Sequence, residues 1–264
     1  MHARVCSTWR EAAKKTLVPL SELVIDRVSS FNAMRVMSTA LPNLQQISIH
    51  HLGPQQRFIN GEDPGKGIAA ATADYTIHDI DILSNFRKLR FLNFFKVPLN
   101  GRYPVLFDFP LLRVLRIYDC AHLKLDLEML VEGLPSLEEL DIDAYLTGNI
   151  NSLRVLRDTL KKVCIEDCRK IRGTFMDLAD FPCLKELHLY ATTVTGDIRD
   201  INGSDFPALE RIRLPKTVAG GLDYEFQNIS EVPSFMHAIH LLMQRKIIPL
   251  DWTWTLSQAF RWGL

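Results

Sequence analysis

Residues 184–198 read LKELHLYATTVTGDI, and the pattern of this stretch recurs along the chain. Leu184, Leu187 and Leu189 form an LxxLxL step, while Glu186, His188 and Tyr190 fall on the opposite side. Alternation by two predicts a strand with its leucines turned into a core. Thr195-Gly196 and the branched Ile198 then turn the chain back toward the next leucine. So short a unit cannot bury its apolar face alone, and its recurrence predicts a stacked solenoid.

The leading leucines of these steps are Leu20, Leu44, Leu89, Leu112, Leu137, Leu160, Leu184 and Leu209, with spacings of 24, 45, 23, 25, 23, 24 and 25. The expected fold is therefore α/β: a curved solenoid of about eight units, with a parallel sheet on the concave face and short helices and turns on the convex face. In the 45-residue gap, residues 53–75 are rich in Gly, Pro and polar residues and predict a loop insertion or a degenerate repeat, followed by a short helix near 77–85. Whether 45–88 hold one repeat or two stays open at this point. Leu41-Pro42, Phe109-Pro110, Leu134-Pro135, Phe181-Pro182 and Phe206-Pro207 each stand just before a leading leucine. Proline there ends the convex segment and starts an extended entry into the strand.

Period and strand signature together resemble the leucine-rich repeats. Gly101, Gly148, Gly173, Gly196 and Gly220 lie at matching places in their units, and this LxG(x)I pattern resembles the plant-type subclass. The IYDC and IEDC steps ending at Cys120 and Cys168 instead resemble the cysteine-bearing repeats that accompany F-boxes. Val5-Cys6-Ser7-Thr8-Trp9-Arg10 with Ala13 is similar to the V-C-x-x-W-R-x-x-A end of an F-box, over about a dozen residues. That resemblance implies substrate recognition in an F-box type ubiquitin ligase, with an adaptor contact only if the remainder of an F-box lies upstream. Read without it, residues 4–15 are an amphipathic helix whose Trp9 caps the first repeat. The expected organisation is an N-terminal helix over 1–16, the solenoid over 17–219 and a helical cap over 220–264. In the cap, Phe235, Met236, Ile239, Leu242 and Met243 share a helical face, Pro249 stops that helix, and Asp251 caps another carrying Trp252, Leu256, Phe260 and Trp262.

With 31 basic and 31 acidic residues the chain has a formal net charge of zero, which predicts no general attraction to nucleic acid or to anionic membranes. No apolar run approaches the ~18 residues of a membrane span, and the N-terminus lacks the apolar core of a secretory signal. Five cysteines without paired spacing fit a reducing compartment. The expected location is cytoplasmic or nuclear.

Catalytic signals are weak. Gly61 to Gly67 has the wrong spacing for a phosphate loop, and the serine-elbow, HExxH and dinucleotide motifs are missing. His237 and His240 lack a third metal ligand nearby. Cys164 is expected to face outward and Cys168 inward, so no zinc site is predicted from that pair. No catalytic residue, metal or other cofactor is expected.

What the solenoid offers is its concave sheet. Phe91, Phe95 and Tyr118 are predicted to form an aromatic cluster there, beside an acidic block of Glu139, Asp141, Asp143, Glu166 and Glu186, with Tyr190 near its end. This surface predicts a non-catalytic scaffold for a protein partner, apolar at one end of the bound segment and basic at the other. The alternatives are a fragment of a plant-type leucine-rich repeat receptor, or an enzyme built from scattered residues in a deep pocket.

Overall fold

The computed structural model describes residues 21–25, 36–37, 41, 43–51, 78–79, 83, 85–100, 109–226 and 228–249. The expected helix at 4–15, the loop at 53–75, the Gly61–Gly67 segment and the second cap helix beyond Asp251 lie outside these residues.

Nine parallel strands, added in chain order, form the main sheet among the described residues. They are β1 (Ser21–Ile25), β2 (Gln46–His51), β3 (Phe91–Phe95), β4 (Val114–Tyr118), β5 (Glu139–Asp143), β6 (Lys162–Ile165), β7 (Glu186–His188), β8 (Arg211–Arg213) and β9 (Ile248–Pro249). The register keeps equivalent residues of the repeat side by side: Asn93 pairs with Arg116, Arg116 with Asp141, Asp141 with Cys164, Cys164 with His188 and His188 with Arg213. Such a ladder stacks leucine on leucine, and Leu89, Leu112, Leu137, Leu160 and Leu184 are all fully buried. No helix of the described residues is long and apolar enough to cross a membrane.

Several units enter their strands through a tight turn. Leu44, Leu112, Leu137 and Leu209 donate their N–H to the carbonyls of Leu41, Phe109, Leu134 and Phe206, which in the last three places Pro110, Pro135 and Pro207 at the second turn position. Proline's locked φ suits that position. The phenylalanines at these corners, Phe86, Phe109, Phe181 and Phe206, fill the core behind the leucines. Phe206 also stacks on Phe175, with ring centroids 6.1 Å apart and planes 8° off parallel.

Behind the main sheet the chain makes short secondary ladders. Lys124–Asp126, Tyr145–Asn149 and Lys170–Arg172 form one, and Gly196–Asp197 with Val218–Ala219 another. Gly196 takes φ +139°, and a Cβ there would lie 2.6 Å from two ring carbons of Phe175. Only glycine lets the backbone turn and approach the ring so closely. The helical turn that follows is capped in unit after unit: Asp126 accepts from the Met129 N–H, Asn149 from Asn151 and Asp197 from Arg199, while Thr174 and Asp177 form a reciprocal capping box. These side chains satisfy donors that the first turn leaves without partners. One turn extends into an α-helix, α1 (Leu127–Gly133), and the others are 3-10 turns.

One open point closes and two expectations change. The sheet passes directly from β2 to β3, Gln46 pairing with Phe91, so residues 45–88 add one strand to the main sheet. Of the helix expected near 77–85, His78–Asp79 instead pairs with Leu99–Asn100, Leu83 lies in a 3-10 turn, and 77, 80–82 and 84 fall outside the described residues. After helix α2 (Val232–Gln244), Ile248–Pro249 joins the sheet beside Arg211–Ile212 and makes the ninth strand. The helix thus ends at Gln244, before Pro249 is reached, and Pro249 sits on an edge strand, where a missing N–H is tolerated. Helix α2 buries Val232, Phe235, Ala238, Ile239 and Leu242, with Met236 partly covered and Met243 exposed.

Candidate functional site

Side chains alternating with the buried leucines stand on the open face of the main sheet, as the period of two requires. The three predicted aromatics do not form one cluster. Phe95 and Tyr118 are register partners on β3 and β4, and with His50 they line an open concavity of about 540 Å³. His50 lies against Phe95 with ring centroids 6.1 Å apart. Phe91 is at the other end of β3, four residues away, and the Arg116 guanidinium covers its ring at 5.5 Å. Strand geometry separates the two phenylalanines by about 13 Å.

The predicted acidic block is also rearranged, because neighbouring strands supply its counter-charges. Arg116 pairs with Glu139 at 3.1 Å, Lys162 with Asp141 at 2.7 Å and Arg213 with Glu166 at 3.1 Å, while Arg211 holds Glu186. Tyr190 lies under the Arg213 guanidinium, 4.2 Å from ring centroid to Cζ. Most of the block is therefore a cross-strand charge ladder. Such pairs fix side chains more than they stabilise the fold, each contributing ~0–1 kcal/mol where exposed.

Asp143 is the exception. It has no ion pair among the described residues, and burial raises its carboxyl above the ordinary range, with further upward pushes from Asp167, Asp119, Glu166 and Asp141. Asp119 and Asp143 both line the Phe95–Tyr118 concavity. Asp119 and Asp167 take positive φ just after their strands, 53° and 52°, a conformation that aspartate tolerates better than most residues. Their N–H groups donate to the Asp143 and Tyr190 carbonyls of adjacent strands, which anchors the acidic rim to the sheet. Asp119 and Asp167 were missing from the predicted site, although both precede the ladder cysteines in the repeated D-C step.

Polar atoms in the middle row of the face are incompletely used. Asn93 Oδ1, Arg116 Nε and His188 Nε2 are buried without a hydrogen-bond partner. Tyr118 is held strongly in its neutral form, first by burial and then by the charge and hydrogen bond of Asp141.

A family model described as "FBD-associated F-box protein At5g56370, LRR repeats" matches residues 79–219, more than half of the chain. The chain belongs to this leucine-rich repeat family. Among curated proteins, none matches it. Among solved structures, an internalin (inlF) from Listeria monocytogenes is similar with a TM-score of 0.48 and 15% identity, over 86% of this chain and 51% of that one. The plant peptide hormone receptor RGFR1, solved with RGF2, gives 0.46 and 16% over 69% and 26%. The Arabidopsis receptor kinase HAESA ectodomain, solved with an IDA peptide hormone, gives 0.41 and 16% over 76% and 33%. The leucine-rich repeat chain thus spans about half or less of each of these structures.

The repeat cysteines divide into two kinds. Cys120 and Cys168 are buried in the ladder, where their thiols donate to the carbonyls of Tyr118 and Ala144 at 3.3 and 3.1 Å. Burial pushes both thiols up to about 11. Cys164 stands on the open-face row with its Sγ 3.9 Å from His188 Nδ1, and as expected its thiol diverges from that of Cys168. Burial, and then Asp141 and Glu166, hold the Cys164 thiol well above its ordinary value, while burial lowers His188. A neutral thiol beside a neutral imidazole is the opposite of an activated thiolate nucleophile. His240, considered with His237 as a metal pair, is bonded to Gln244.

Proposed function

We propose that this leucine-rich repeat protein is a non-catalytic scaffold that seats a protein segment on its main sheet, with an apolar side chain in the Phe95–Tyr118 concavity and a basic one beside Asp119, Asp143 and Asp167. The observation that carries this reading is the join of an aromatic depression to an acidic rim whose Asp143 lacks an ion pair. Aromatic side chains supply large, rigid contact area, and an unpaired acid selects for positive charge. The unpartnered Asn93, Arg116 and His188 atoms in the adjoining middle row add hydrogen-bonding capacity for the segment's backbone. Membership of a family described by an F-box protein, with the F-box-like run at residues 5–13, supports a role as the substrate-recognising part of a ubiquitin ligase. Free cysteines throughout the described residues support a reducing compartment, cytoplasmic or nuclear.

The test is selection of a displayed random-peptide library on the immobilised full chain. The expected motif has a large apolar residue within a few positions of Lys or Arg. Phe95→Ala/Tyr118→Ala abolishes enrichment, and Asp143→Asn relaxes the basic preference. Equal enrichment on wild type and double variant sinks the proposal. Co-purification of cullin-ligase subunits from cell extract tests the ligase role separately.

A further inference from the structure

The middle row of the main sheet brings a thiol, an imidazole and a carboxylate to one spot. Cys164 on β6 and His188 on β7 are register partners, and Glu166, two residues after Cys164, projects from the same face. One ligand atom from each of Cys164, Glu166 and His188 lies within 4.8 Å of the other two. Cys164 is only 8% exposed, and its sulfur lies 3.9 Å from the imidazole. The imidazole nitrogen beside the sulfur is Nδ1, and the other one, Nε2, is buried with no hydrogen-bond partner.

We propose that Cys164, His188 and Glu166 bind a zinc ion, which leaves a fourth position for water or for a side chain of a bound protein. Bond lengths of ~2.3 Å to sulfur and ~2.0 Å to nitrogen around a tetrahedral ion put those two ligand atoms ~3.5 Å apart. The observed 3.9 Å closes to this with a movement of a few tenths of an ångström. A thiolate with an imidazole favours zinc over magnesium or calcium, which prefer all-oxygen sites. Two cations border the site, and each is engaged by a carboxylate. Lys162 is turned to Asp141 at 2.7 Å, and Arg213 donates to Glu166 Oε1 at 3.1 Å and so orients the carboxylate. On binding, the thiol gives its proton to solvent and the metal takes its place on sulfur. The site uses neither the Phe95–Tyr118 concavity nor Asp119, and it shares with the peptide-binding reading only His188, through its other nitrogen, Nδ1.

The experiment titrates cobalt(II), a spectroscopic stand-in for zinc, into the reduced and chelator-treated full chain, followed by competition with zinc. One equivalent is expected to give a thiolate-to-cobalt charge-transfer band together with the d–d bands of a four-coordinate ion, and zinc erases both. Cys164→Ser and His188→Ala abolish the bands, whereas Cys6→Ser/Cys183→Ser retains them. Glu166→Gln, which loses its ion pair with Arg213, leaves the circular dichroism of the apo chain unchanged. It lowers affinity at least ~10-fold, since loss of outer-sphere partners alone costs ~10–100-fold. No thiolate-to-cobalt band at stoichiometric metal, or a band that survives Cys164→Ser, or an unchanged affinity in Glu166→Gln, overturns the proposal.

Discussion

Replacing Gly196 by alanine adds one methyl group at a point where the structure has no room for it. The new Cβ would stand 2.6 Å from both Cδ1 and Cε1 of Phe175 and 3.2 Å from Thr174 Oγ1. Phe175 is fully buried and stacked on Phe206, so its ring has no open space to enter. The φ of +139° adds backbone strain of ~1–3 kcal/mol for a residue with a side chain. Forcing a methyl into a packed core costs another ~1–3 kcal/mol. The expected destabilisation is thus ~2–6 kcal/mol, with a fall in Tm of ~2–4 °C per kcal/mol for a chain of this size. Gly203→Ala is the matched control, because nothing lies within 4 Å of its added Cβ and its backbone is outside the positive-φ region. Its effect should stay within ~0.5 kcal/mol. Urea unfolding of both variants, followed by circular dichroism and tryptophan fluorescence, gives the comparison. Phe175→Leu should cost less in the Gly196→Ala background than in wild type, because a smaller side chain relieves the clash, with a coupling above ~0.5 kcal/mol. If the two alanine variants unfold at the same urea concentration, the close packing of Gly196 on Phe175 is wrong.

Three further outcomes are expected. Thr174→Ala removes the capping box over Phe175–Leu178 and should cost ~1 kcal/mol in equilibrium unfolding, and Thr174→Ser should recover most of it. Asp143 has a folded pKa above its ordinary value of 3.8, so the folded chain holds that proton more tightly and stability falls as pH rises from 3.8 through the folded pKa. Asp143→Asn should therefore stabilise the protein at pH 7 and lose its advantage below pH 3.8, in melts recorded across that range. Among cysteines of the described residues, the partly exposed Cys183 should alkylate first in native conditions. Cys120 and Cys168, buried and with thiols pushed up to about 11, should react only on unfolding, as read by intact and peptide mass spectrometry.

Particular residues show how much was legible. The repeated leucines predicted which side chains enter the core because a strand alternates with period two, and no tertiary information alters that parity. Cys164 and Cys168 differ by an even number of residues, yet a turn with positive φ at Asp167 lies between them and directs their sulfurs apart. That divergence was readable from their places in the unit. The meeting of Cys164, Glu166 and His188 was not singled out, although all three occupy open-face positions on consecutive units. A search for metal sites by spacing within one segment passes over ligands that stacking assembles across two. The ninth strand was hidden for a different reason. Ile248–Pro249 has no LxxLxL step, and it pairs because α2 returns the chain to the open edge beside β8.

The sequence by itself determined the solenoid and the parity of the repeated strand side chains, since these follow from local periodicity and from turn chemistry at proline and glycine. It also placed nearly all residues of the candidate surface on the correct face. Only the tertiary structure decided which of them act together. Counter-charges from the next strand turned most of the acidic block into a paired ladder, and strand length separated Phe91 from Phe95. The unpaired acidity settled at Asp143 beside Asp119 and Asp167. The physical reason is that charge pairing and ligand geometry depend on distances of a few ångströms between strands, which inter-strand register sets and residue spacing along the chain does not.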